Sequence, residues 1–160
     1  MLGRMSRAFA CLVLVAAAGA ALAVTAPSAP GQARCQPTLG DGAGPFQTNA
    51  IATPLRSKIG TGHVLQGRVL AAPDCGPVRR AVVYFWQAGQ NGYGPRGRGR
   101  VLTDRQGRFR IEGPVPANYG RGPHIHLAVL HPAYEELLTR YGVRPGAKTG
   151  RIRLVLTPLL

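Results

Sequence analysis

At 160 residues the chain has room for one domain with one real core and little more. Twenty Lys and Arg against six Asp and Glu give a formal charge of +14, which favours anionic partners: nucleic acid, acidic polymers or carboxylate-bearing small molecules. Aromatic residues are few and no nucleic-acid motif accompanies the charge, so nucleic acid is not expected as a partner; neither heptads nor internal repeats are present, which argues against coiled coils and solenoids.

Residues 1–23 read as a secretory signal. Arg4 and Arg7 form its positive start, an apolar stretch begins at Ala8, and Ala21-Leu22-Ala23 fits a small-x-small cleavage site, with Val24-Thr25-Ala26 as a second candidate. The alternative is an uncleaved anchor, since the apolar run is near the lower limit of a membrane span. Cleavage implies a secreted or periplasmic protein without stable membrane insertion. It takes Arg4 and Arg7 from the 20 basic residues, leaving 18 against 6 acidic. It also removes Cys11, one of three cysteines. Cys35 and Cys75 can then pair in an oxidising compartment and staple an N-terminal arm to the body, the alternative being two free thiols. No lipoprotein signal precedes Cys35, so no lipid anchor is expected.

Residues 24–34 have linker composition, and residues 35–62 form an irregular arm broken by Pro37, Gly40, Gly42, Gly44, Pro45 and Pro54. The folded domain is expected over 63–160. His63–Leu70 alternates as a strand, a turn follows at Pro73–Pro77, and Ala81–Ala88, which contains the sole Trp, is the most apolar strand. Gly89–Gly99 reads as a Gly/Arg-rich loop carrying Tyr93. Arg100–Thr103 and Phe109–Glu112 flank Asp104-Arg105-Gln106-Gly107, a hairpin signature. A strand is expected at 124–130, a short helix or turn at 133–138, and a closing strand at Arg151–Leu156 with a basic, wet face. Short strands with turns between them predict an all-β fold, a β-sandwich.

The strand at 124–130 begins His124-Ile125-His126. Strand side chains alternate faces, so both imidazoles point the same way, their Cα atoms about 7 Å apart. His-x-His on one face can offer two nitrogens to a metal; the plainer alternative is two hydrogen-bonded or exposed histidines. Tyr119 and Arg121 just upstream add a phenol and a cation, a set suited to an oxyanionic ligand on a hard metal. His63 and His131 carry no functional reading.

Taken in order, Trp86-Gln87-Ala88 leading to Gly92-Tyr93, Thr103-Asp104-x-x-Gly107-x-Phe109, Pro116-x-x-Tyr119 and Arg121-x-x-His124-Ile125-His126 resemble the core of intradiol ring-cleavage dioxygenases, the non-haem ferric enzymes typified by catechol and protocatechuate dioxygenases. Gly44-Pro45-Phe46 resembles their N-terminal segment, and the resemblance covers roughly residues 35–141. It implies a sandwich core with Fe(III) at one edge, held by Tyr93, Tyr119, His124 and His126, with Arg121 beside the ring. Two phenolates and two imidazoles suit Fe(III) over softer ions. The resemblance further implies a catechol-type substrate that chelates the metal and gives its proton to Tyr119, O2 as co-substrate, and a muconate-type diacid as product.

The chain departs from the family pattern in places. The spacing from Trp86 to Tyr93 is a residue short, Tyr119 lies closer to His124 than in the large cytoplasmic members, and Arg140 in Thr139-Arg140-Tyr141 replaces a frequent Gln. The long substrate-specificity and dimerisation segments are missing. The chain therefore resembles a small secreted member whose substrate need not be catechol itself. A second reading keeps the sandwich without the chemistry: a non-catalytic module that binds anionic ligands through its arginines. Such a module has no need of the full ligand set.

Overall fold

The computed structural model describes residues 35–41 and 53–160. The expected signal at 1–23, the linker at 24–34 and Gly44-Pro45-Phe46 lie outside the described residues. The described chain contains seven strands: β1 (His63–Ala71), β2 (Val82–Gly89), β3 (Gly92–Leu102), β4 (Arg108–Gly113), β5 (His124–His131), β6 (Tyr134–Gly142) and β7 (Thr149–Leu156). They form a three-stranded sheet, β4-β1-β7, and a four-stranded sheet, β3-β2-β5-β6. The fold is all-β, and the two sheets pack as a sandwich.

Alternation in the sequence decides which side chains fill the space between the sheets. Leu65 and Val69 of β1, Val83 and Phe85 of β2, Ile125, Leu127 and Val129 of β5, and Leu154 and Leu156 of β7 form one buried cluster. Each is a β-branched, aromatic or leucine side chain two residues from the next, or four across Gly67 in β1, as a sheet with a packed inner face requires. A closing strand at the expected place, β7, lies parallel to β1, with Arg68 opposite Arg153 and Leu70 opposite Val155. The Cys35–Cys75 disulfide is formed, its Cα atoms 5.3 Å apart. It covers Leu70, Ala72 and Val155 at one end of the three-stranded sheet.

Two expectations are corrected. The stretch 89–99 is not a loop: Gly92–Leu102 is a strand at the sheet edge. An edge strand tolerates Pro95 because one side of it needs no ladder partner. Two of its glycines serve close approach, since a Cβ on Gly97 would stand 2.6 Å from the Gln87 carbonyl and one on Gly99 2.5 Å from that of Arg56. Of residues 133–138 only Ala133 lies in a turn; 134–138 are strand and belong to β6, paired antiparallel to β5. Glu135 and Glu136 have weak strand propensity, but Leu137 and Thr139 are buried on one face, and packing outweighs propensity.

Candidate metal centre

The outward face of the four-stranded sheet carries its own apolar layer. Tyr84, Trp86 and Ala128 are buried there, packed with Tyr93, Leu130 and Leu138. Because β5 alternates, His124 and His126 share this face with Ala128, and Trp86 pairs directly with His126 across the strands. Both histidines are buried. The Trp86 and His126 rings stack at 4.9 Å and 10°, and Tyr84 stacks on Trp86 at 5.0 Å. This column of rings holds the His126 imidazole in one orientation.

Tyr93 arrives from β3. The β2–β3 register shifts between Trp86 and Ala88, so that Tyr93 lies opposite Ala88; such irregularities commonly re-aim a side chain beside a site. Ala88 presents only a methyl group between Tyr93 and β5. Tyr93 Oη therefore stands 2.9 Å from His126 Nε2 and 3.3 Å from His124 Nε2, and the two Nε2 atoms are 3.1 Å apart. The protonation pattern follows from one further contact. His124 Nδ1 lies 2.7 Å from the Gly122 carbonyl, which only an N–H can satisfy, so Nε2 carries the lone pair that faces the pocket.

Electrostatics complete the picture. Burial, then His124 and Arg140, lower the His126 pKa to about 4, with Asp41 opposing, so the imidazole is neutral near neutral pH and free to ligate. Burial, then the neighbouring Tyr119, raise the Tyr93 phenol above its ordinary value. Without a metal Tyr93 is protonated and donates to a histidine.

Three donors within 3.3 Å of one another match what one cation requires, since ligands bound at about 2.1 Å and at right angles are about 3.0 Å apart. Two imidazole nitrogens aimed at one another also need a cation or proton between them. No group of three or more His, Cys, Asp or Glu converges among the described residues, so a metal here depends on tyrosine oxygen. Phenolate favours a hard trivalent ion over Zn(II) or Cu(I). The donor set therefore fits ferric iron.

Tyr119 and Arg121 line the same cavity, of about 330 Å³, with Asp41 and Arg140. Tyr119 is half exposed, its ring edge-on to Tyr93 at 5.4 Å. Arg121 is exposed at the rim. The structure thus brings together all five residues singled out for the site. His63 is buried beneath Tyr141 with Nδ1 on the Ala147 carbonyl, and His131 lies away from the cavity. Sequence reasoning missed Asp41, which forms an ion pair with Arg140; Arg140 stands directly opposite His126. Only the arm's path along β6, where Asp41 N donates to the Leu138 carbonyl, brings the two charges together.

No protein-family model and no curated protein matches the chain. Solved structures do. The dioxygenase domain of a dioxygenase–carbohydrate-binding protein fusion from Streptomyces sp. SirexAA-E superposes with a TM-score of 0.66 at 22% identity, over 78% of this chain and 100% of that one. An intradiol ring-cleavage dioxygenase from Tetranychus urticae gives 0.66 at 19% identity, over 79% and 97%. Hydroxyquinol 1,2-dioxygenase from Pseudomonas putida DLL-E4 gives 0.63 at 20%, over 81% and 68%. The chain has the fold of these intradiol dioxygenases.

Proposed function

We propose that this protein is an exported Fe(III)-dependent intradiol dioxygenase that opens a catechol-type ring with O2 to a muconate-type diacid. The observation that carries the reading is the meeting of Tyr93 Oη, His124 Nε2 and His126 Nε2 within 3.3 Å in a cavity that Tyr119 and Arg121 also line. Tyr93, Tyr119, His124 and His126 would hold the iron. Bound there, a ferric ion supplies Lewis acidity that favours the deprotonated diol and activates the ring toward O2.

The chain's own residues do the rest. The Gly122 carbonyl and the Trp86 stack orient the two imidazoles, so little reorganisation is needed when metal and substrate bind. Tyr119, half exposed beside the donor triangle, would be the residue that accepts a diol proton. Arg121 carries a permanent charge that opposes negative charge developing on the substrate. Arg140 is already paired with Asp41, which leaves Arg121 as the electrostatic group. The Cys35–Cys75 bond supports export, since disulfides persist in oxidising compartments.

Iron loading tests the reading. The loaded protein is expected to hold one iron per chain, to turn red to burgundy from phenolate-to-iron charge transfer, and to consume O2 with at least one member of a substituted-catechol panel. Colourless protein that retains no iron would overturn it.

A further inference from the structure

We propose that the outward face of the three-stranded sheet binds a carboxylate-bearing polysaccharide through Arg68, Arg108, Arg110, Arg151 and Arg153. The register places these arginines side by side. Arg68 of β1 pairs with Arg108 of β4 on one side and Arg153 of β7 on the other. Gln66, in the next outward row, pairs with Arg110 and Arg151. With strands about 4.8 Å apart and rows about 7 Å apart, five guanidinium groups share a patch roughly 10 Å across. All five side chains are exposed.

Like charges directly opposite one another in a sheet are destabilising, and of the five arginines only Arg110 has an acidic side-chain partner among the described residues. The two acids of the patch are already engaged. Glu112 is paired with Lys58 and Arg110 at 3.0 Å each. Asp104 Oδ1 accepts from the backbone N–H groups of Gln106 and Arg108. The face therefore calls for external anions, several at once. It lines an open groove of about 760 Å³, too broad to enclose one small ion and suited to a polymer lying across it. Arg68 is already oriented, its Nε donating to the Gln106 carbonyl at 2.8 Å, so its terminal nitrogens are held ready. A planar guanidinium matches a carboxylate with two parallel hydrogen bonds.

Nucleic acid is the less suitable occupant. None of the outward residues of this patch is aromatic, so unpaired bases have no stacking platform. The patch and the donor triangle lie on opposite outer faces of the sandwich, so a bound polymer leaves the cavity open, and either site can fail without the other.

Binding of polygalacturonate to the full mature chain tests the proposal, with fully methyl-esterified polymer and duplex DNA as comparison probes. The unaltered protein is expected to bind polygalacturonate, to lose roughly 100-fold in affinity between about 50 and about 200 mM salt as several ion contacts are screened, and to ignore the ester. The triple variant Arg68→Gln, Arg151→Gln, Arg153→Gln should bind at least about tenfold more weakly, whereas Arg79→Gln, Arg96→Gln, Arg144→Gln, with the same change in net charge, should stay within about twofold. Equal losses in the two triples would reduce the effect to overall charge and overturn the site. Binding of the ester, or tighter binding of DNA than of polygalacturonate, would overturn the occupant. The salt series and the ester need no variant and decide the matter even if a triple folds poorly.

Discussion

The two sheets present opposite outer faces, and the contrast between them explains how one small domain can carry both a candidate metal centre and a charged surface. On the four-stranded sheet the outward residues are Tyr84, Trp86, Ala128 and two buried histidines. On the three-stranded sheet the equivalent positions are arginines in register. Burial depresses the basicity of one histidine and leaves unprotonated nitrogen where a metal can use it. Exposure keeps every guanidinium charged and hydrated, where only multivalent contact holds a ligand. The same strand alternation produces both faces, and what differs is whether the outward layer is covered.

Four experiments can break or sharpen this contrast. The largest effect is expected from His126→Ala, which removes one corner of the donor triangle. Metal analysis should find iron lost from this variant and from His124→Ala, with polygalacturonate binding unchanged; full iron content in both would remove the metal centre from the buried face. Next, Arg121→Ala should keep iron and colour but lower turnover by roughly 10²–10³-fold, the scale of losing one electrostatic stabiliser. Arg121→Lys should restore only part of that, because a point charge does not reproduce a planar fork. Turnover near the starting rate in the Ala variant would make Arg121 surface charge and move attention to Arg140.

On the charged face, the Cys35→Ala, Cys75→Ala double variant should lose about 2–4 kcal/mol in a urea titration and expose Leu70 and Val155, which the bridge covers at the end of the sheet. An unchanged midpoint would mean that the bridge only tethers the arm. The smallest effect is a pH dependence. The His126 pKa of about 4 lies below its ordinary value, so the unfolded chain binds more protons between the two values. Stability of the metal-free protein should then fall as pH drops from about 6.5 towards 4 and level off below. His124, Arg140 and Asp41 surround the ring, and His126→Gln should flatten this limb of the profile. A profile identical to that of the unaltered protein would assign the limb to other groups.

The sequence alone determined the all-β class, most strand positions, the shared face of His124 and His126 and the cysteine pair, because each follows from local alternation or from counting. It also supplied, through the resemblance in ordered motifs, the set of Tyr93, Tyr119, Arg121, His124 and His126. Two elements were not legible. The stretch 89–99 reads as loop because Gly97 and Gly99 serve close backbone approach and Pro95 sits on an unpaired edge, and 133–138 reads as helix or turn because its glutamates disguise a strand recruited by β5. Only the tertiary structure decided that an irregular β2–β3 register brings Tyr93 to the histidines, that Trp86 stacks on His126, and that Asp41 meets Arg140. It likewise set five arginines from three strands side by side. These are contacts between residues remote in the chain, and their geometry depends on register and packing, which no local pattern encodes.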